Sequence, residues 1–206
     1  MCYRTQMNKT IGEIERAFNA RCVEPNSYVP MDEINGFTYI KTPVIRDEGR
    51  GEIDLFHWGL IPFWAKDDAI KKNTLNARIE TVTDKPAFRN SVENRCLVLA
   101  NAYYEWQWLD EKGKKKQKFR IHPVDQEIFA FAGIYSNWKN PGTGEVINSY
   151  SIITTEANEL MSVIHNNKHR MPVVLKQEDH TSWLSGADVT NFALPYEVAL
   201  EAIPVK

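Results

Sequence analysis

Apolar residues recur along this chain with two periods. At Thr10-Ile-Gly-Glu13 a capping-box pattern precedes Ile11, Ile14 and Phe18 at helical spacing, which predicts a first helix. Asp84, Pro86 and Phe88 predict a second short helix, and Leu160, Val163 and Ile164 a third over about 155–164. A fourth is expected from Gln177 to Leu184, stopped by Ser185-Gly186. Between them lie runs with strand character: Cys96 to Trp108, Gln117 to His122, Glu127 to Ser136, Val146 to Thr154 after the turn at Asn140-Pro-Gly-Thr-Gly144, and Met171 to Leu175. Phe129, Phe131 and Gly133 alternate within the third of these. Strands dominate the middle and helices are interspersed without strict alternation. This pattern predicts an α+β fold with a mainly antiparallel β-sheet.

The chain shows no internal repeat, low-complexity tract or Ser/Gly linker, so a single domain over 1–206 is expected. Size scaling gives roughly 10,000 Å² of folded surface against about 34,500 Å² unfolded, enough for one large core. With 11% aromatic residues, the chain has ample apolar surface to bury, which argues against disorder. No apolar run approaches the roughly 20 residues of a membrane helix, and MCYRTQMNKT has no secretory pattern. The 25 basic and 27 acidic residues give a net charge of −2, which excludes a globally basic nucleic-acid binder. A local basic groove remains compatible, because the field depends on where charges sit and acids outnumber lysines beyond residue 175.

The cysteines, Cys2, Cys22 and Cys96, are widely spaced and odd in number, which points to free thiols in a reducing compartment. Cys2 directly follows Met1. Removal of Met1 would leave a thiol and a free α-amine on adjacent carbons, with ordinary pKa values of about 8.5 and ~7.7–8.0. Such a 1,2-aminothiol can attack an amide as an N-terminal nucleophile. It can also condense with an aldehyde, closing a five-membered thiazolidine. The bland alternative is a cysteine that merely stands beside the first residue.

Four further segments concentrate polar and aromatic groups. Phe56-His-Trp-Gly-Leu-Ile-Pro-Phe-Trp64 carries Trp58 and Trp64, either core residues or stacking platforms. Asn76-Ala-Arg-Ile-Glu80 puts Asn76, Arg78 and Glu80 at period two, on one side of an extended segment. Asn101-Ala-Tyr-Tyr-Glu-Trp106 ends an apolar strand with Glu105, either functional or paired with a lysine. Ile164-His165-Asn-Asn-Lys-His169-Arg-Met-Pro172 has HxxxH spacing, but its paired Asn residues and Pro172 oppose a helix and no third ligand is evident. No metal is therefore expected.

Taken in order, MCYR, WGLIPFW, NARIE, NAYYEW and HRMP, followed by QEDHTSWL, resemble the SOS response-associated peptidase (SRAP) family of the YedK/HMCES type. The resemblance implies a compact α+β domain with a β-sheet pseudo-barrel and several short helices packed around it. It implies a sensor of abasic sites in single-stranded DNA, shielding the lesion as a covalent thiazolidine crosslink through Cys2 once Met1 is removed. On that basis Asn76 orients the Cys2 amine and the sugar, Glu105 shuttles protons, and His165 assists opening of the sugar ring. A proton-handling Glu105 requires a raised pKa, which burial beside Trp106 would supply. Arg4, Arg78 and Arg170 are the expected phosphate contacts, with Trp58 and Trp64 stacking near the lesion. The expected protein is a cytoplasmic, DNA-associated monomer without metal or organic cofactor.

Two departures from the family pattern stand out. Tyr3 occupies a position that is often glycine. Four residues separate His165 from Arg170 where one is common, which leaves His169 as a competitor for the catalytic role. Lys112 to Arg120 packs six basic residues into nine positions, either a phosphate-tracking rim or a solvated hairpin tip. An N-terminal-nucleophile cysteine peptidase and a noncovalent single-strand binder are the competing functional classes.

Overall fold

The computed structural model describes residues 2–205. In chain order the elements are β1 (Arg4–Met7), α1 (Ile11–Phe18), β2 (Arg21–Cys22), β3 (Met31–Asn35), β4 (Lys41–Arg46), β5 (Glu52–Trp58), β6 (Asn76–Arg78) and β7 (Arg95–Ala100). There follow β8 (Ala102–Trp108), β9 (Lys116–Pro123), β10 (Phe129–Lys139), β11 (Val146–Glu156), α2 (Glu159–Ile164), β12 (Arg170–Pro172), α3 (His180–Leu184) and β13 (Leu200–Val205). Helix α1 starts as its sequence predicts: the Thr10 side chain accepts from the Glu13 N–H while the Glu13 carboxylate accepts from the Thr10 N–H.

The larger sheet runs β11-β10-β7-β4-β5 through antiparallel ladders. A parallel contact, with Ser149 opposite His57 and Tyr150 opposite Trp58, joins β5 back to β11 and closes the five strands into a barrel. Strands β6 and β12 flank β11, and β2 flanks β5. The smaller sheet has the order β13-β9-β8-β1-β3, all antiparallel. The fold is thus α+β with a mainly antiparallel pseudo-barrel. Phe129 to Ser136 of β10 is buried on both faces. At Gly133 a Cβ would stand 2.7 Å from Val98 Cγ2 and 2.8 Å from Cys96 Sγ, so only glycine lets β10 approach β7 this closely. The accessible surface is 10187 Å², in line with the size-scaling expectation.

Four elements differ from the sequence pattern. The run 96–108 is two strands, because Asn101 interrupts it. The Asn101 side chain donates to Gln6 and Asn8 and accepts from the Asn8 N–H, tying the break to the end of β1. As a result β7 lies in the barrel and β8 in the second sheet. Residues 84–88 form hydrogen-bonded turns followed by a 3-10 turn at Arg89–Ser91, with no α-helix. The helix expected from residue 155 begins only at Glu159, because β11 runs on to Glu156 and the Asn158 side chain caps the Met161 N–H at 2.9 Å. The fourth helix is a 3-10 turn, Gln177–Asp179, leading into α3. Among the described residues, no helix is long and apolar enough to cross a membrane.

Candidate functional site

Cys2 enters the fold just ahead of β1. Thr5 stands opposite Tyr103 in the β1–β8 ladder, so the antiparallel register carries Cys2 and Tyr3 toward Glu105. Cys2 is 0% exposed, and its thiol donates to the Arg4 carbonyl at 3.7 Å. Burial, assisted by the nearby Glu105 charge, pushes the thiol pKa well up and keeps the sulfur protonated. Met1 lies outside the described residues.

Asn76 reaches Cys2 from the barrel. Strand β6 is held parallel to β11, with Asn76 opposite Ile152, and the Asn76 Nδ2 donates to the Cys2 carbonyl at 2.8 Å. Its Oδ1 is buried and finds no hydrogen-bond donor among the described residues. Trp58 supports this placement from beneath. It is 0% exposed, packed parallel to Tyr150, and its indole N–H donates to the carbonyl of Leu75, the residue before Asn76, at 2.8 Å. Gly59 follows at φ +122°, where a Cβ would meet the Lys71 carbonyl at 3.0 Å, so the WGL segment requires its glycine.

Glu105 on β8 and His165 at the C-cap of α2 are each 5% exposed, with Glu105 Oε2 3.8 Å from His165 Nε2. Burial raises the Glu105 pKa to about 7. Burial likewise lowers that of His165 to about 4, so the imidazole is neutral at pH 7. The Arg170 N–H donates to His165 Nδ1 at 3.1 Å, which assigns the imidazole proton to Nε2, on the Glu105 side. A carboxyl balanced between its two forms beside a neutral, tautomer-fixed imidazole can both give and take a proton near pH 7. His169 is exposed, at φ +49°, and is not part of this pair.

The cationic and aromatic candidates separate into two groups. Arg78 is exposed on β6. Arg4 is part-exposed, ion-paired with Glu33 and set over the Trp106 ring at 5.7 Å. Trp64 is 46% exposed, its N–H donating to the Pro86 carbonyl at 3.3 Å, beside the exposed Phe63. These three are accessible. Trp58 and Arg170, in contrast, are engaged inside the protein. Arg170 makes a two-pronged pair with Glu80 at 2.7 and 3.0 Å and donates to the Thr154 carbonyl at 2.7 Å. In this conformation Trp58 offers no ring face to a base, and the Arg170 guanidinium serves the β11–β12 edge that carries His165's partner N–H. Glu80 leaves the extended segment for a 3-10 turn, Ile79–Thr81, and its part in fixing Arg170 had no sequence signal beyond its place in NARIE.

Tyr3 packs against the exposed Phe37, ring centroids 5.1 Å apart, at the edge of the site. The 112–120 run spans the β8–β9 turn. Asp110 accepts from the backbone N–H groups of Lys112, Lys114 and Lys115. Lys116 and Lys118 lie over Trp108 and Trp106, and Arg120 donates to Gln6. The run is therefore a structured hairpin, part of whose charge is directed onto its own sheet. Among the described residues, no group of three or more His, Cys, Asp or Glu is arranged to hold a metal ion.

The profile of a family described as SOS response associated peptidase (SRAP) matches residues 1–206. The chain is similar to the abasic site processing protein YoqW of Bacillus subtilis (strain 168), at 37% identity over 187 residues, covering 90% of this chain and 80% of that one. It is similar to the abasic site processing protein HMCES of Gallus gallus, at 35% identity over 156 residues, 64% of this chain and 45% of that one. A crystal structure of a protein from Bacteroides thetaiotaomicron superposes with a TM-score of 0.90 at 31% identity, covering 100% of this chain and 92% of that one. Another from Bordetella bronchiseptica gives 0.84 at 29% identity, with both chains fully covered.

Proposed function

The chain belongs to the SOS response associated peptidase (SRAP) family, and from that membership we propose that it processes abasic sites in single-stranded DNA, capturing them covalently through Cys2. The observation that carries this reading is that Asn76 and Glu105 meet Cys2 from two separate elements while His165, from a third, stands 3.8 Å from Glu105, which titrates near neutrality at about 7.

The chemistry begins with hydrolysis of the Met1–Cys2 peptide bond, consuming one water and freeing the Cys2 amine. As the C1–O bond to the ring oxygen breaks, the ring oxygen takes a proton from His165 Nε2, the C1 hydroxyl proton passes to the Glu105 carboxylate as the aldehyde forms, and Glu105 returns a proton to Nε2. The amine adds to the aldehyde carbon. Asn76 holds the Cys2 carbonyl through Nδ2 and presents Oδ1 as an acceptor for the amine. Protonated Glu105 delivers a proton to the departing hydroxyl, so that water leaves and an imine forms. The thiol then adds to the carbon of the protonated imine: the C–S bond forms, the C=N π pair returns to the nitrogen, which keeps the proton it already carries, and the thiol proton passes to Glu105. Amine, thiol and aldehyde thus yield thiazolidine and one water. A buried, protonated thiol suits this order, because the amine attacks first and the sulfur resists adventitious oxidation until an imine is present. Arg4, Arg78 and Trp64 are the accessible groups for phosphate and base contacts, while Trp58 and Arg170 position Asn76 and His165.

Incubation of the purified protein with a single-stranded oligonucleotide carrying one abasic site is expected to give a heat-stable shifted band on a denaturing gel, absent with the undamaged oligonucleotide. Binding without a covalent band would instead indicate a noncovalent module. Turnover of amide substrates without DNA affinity would indicate an N-terminal-nucleophile peptidase.

A further inference from the structure

The turn that follows His165 is longer than the family pattern leads one to expect, and it is fastened to the strand that carries Glu105. After α2 the chain reverses over 166–169. The His165 carbonyl accepts from the N–H groups of Lys168 (3.2 Å) and His169 (2.9 Å), and the left-handed His169 completes the reversal into β12. Within this turn the Asn166 side chain acts like a rung of sheet. The Trp108 N–H donates to Asn166 Oδ1 at 3.0 Å, and Asn166 Nδ2 donates to the Trp108 carbonyl at 2.9 Å. On the other side of His165, Gln107 Nε2 donates to the Val163 carbonyl at 3.2 Å. Both ends of the His165 turn are therefore tied to β8, two and three residues beyond Glu105. The register along β8 thereby fixes how far His165 stands from Glu105.

We propose that Asn166 is a positioning residue for the proposed abasic-site chemistry: by pairing both polar groups of its side chain with the backbone of Trp108, it holds the His165 imidazole in register with the Glu105 carboxyl. The proposal rests on the function proposed above but concerns a residue whose side chain is spent on the backbone of Trp108. Its reach is set by geometry alone, since a displacement of about 1 Å in a proton-transferring group can cost up to about a hundredfold in rate. Among the described residues, the charged and titratable groups facing His165 are Glu105 from β8 and Lys168 and His169 from the turn itself.

The test compares wild type, Asn166→Ala and Asn166→Asp, the last keeping the acceptor for the Trp108 N–H and losing the donor to its carbonyl. Two readouts are taken: the rate of heat-stable crosslinking to an abasic oligonucleotide across pH 5–9, and the titration of the His165 ring by NMR on the DNA-free protein. Asn166→Ala is expected to slow crosslinking by about tenfold or more with a displaced pH profile. Its affinity for undamaged single strands should be unchanged, and its His165 pKa should rise from about 4 toward the ordinary range as the ring loosens. Asn166→Asp should fall between. A wild-type rate, pH profile and His165 titration in Asn166→Ala would overturn the proposal. So would a loss of DNA affinity with the pH profile intact. Absence of any crosslink with wild type would count against the proposed function instead, and the NMR titration would still decide whether Asn166 holds the imidazole.

Discussion

Cys2→Ala is expected to abolish the heat-stable crosslink to an abasic oligonucleotide while leaving noncovalent affinity for single strands within about twofold. The variant keeps the α-amine and removes only the sulfur, from a wholly buried residue whose thiol makes one long hydrogen bond. Its folding cost is that of a small cavity, about 1 kcal/mol, far too little to unfold a chain with a core this size. An imine still forms, but without sulfur it has no second nucleophile to close on, and water returns it to amine and aldehyde. Cys2→Ser should behave in the same way, giving a band only when the imine is trapped by borohydride. Denaturing gels run with and without reductant check both variants. An unreduced, heat-stable band from either would remove sulfur from the mechanism.

Glu105→Gln is expected to slow crosslinking by about 10²-fold or more, the usual scale of a positioned acid–base group, and to stabilise the protein at the same time. The two effects share one origin. Burial holds the folded carboxyl near 7 against 4.5 when unfolded. Between those values the folded chain keeps a proton that the unfolded chain has lost, so stability falls as pH rises through that window. Above pH 7 the buried charge costs about 3 kcal/mol at most. His165 has the opposite sign, since its folded value of about 4 against 6.5 makes stability rise as pH rises between those two values. The melting temperature of Glu105→Gln should therefore exceed that of wild type by a margin that widens from pH 5 to pH 8. The wild-type rate should carry an inflection near pH 7 that the variant lacks. Equal rates, or a melting difference that does not change with pH, would contradict the role given to Glu105.

Much of this architecture could be read from the residues, and the exceptions have a common cause. The α1 cap was visible because both of its partners lie within one turn of helix. The break at Asn101 was not, because the groups that satisfy it, Gln6 and Asn8, are more than ninety residues away. Strand β13 lies in a tail whose acidic balance gives no strand signal, and it exists because β9 offers it an edge, with Leu200 opposite Pro123 and Val205 opposite Lys118. The site follows the same rule. Cys2, Asn76, Glu105 and His165 stand out through the segments they occupy, but their convergence depends on β6 and β12 flanking β11 while β1 and β8 pair in the other sheet. Residue type could not distinguish an accessible tryptophan from one spent on a backbone carbonyl. Trp64 and Trp58 both belong to WGLIPFW, yet Trp64 is exposed and Trp58 is bound to Leu75. Arg170 reads as a phosphate ligand until Glu80 and Thr154 are seen around it.

The central claim, covalent capture of an abasic sugar by the amine and thiol of Cys2, is tested most directly by intact mass spectrometry of the unreduced adduct, followed by peptide mapping. The account predicts the mass of the chain without Met1 plus that of the abasic oligonucleotide minus one water, with the modification on the peptide that begins at Cys2. An adduct that retains Met1, or one that maps to a lysine, would contradict it.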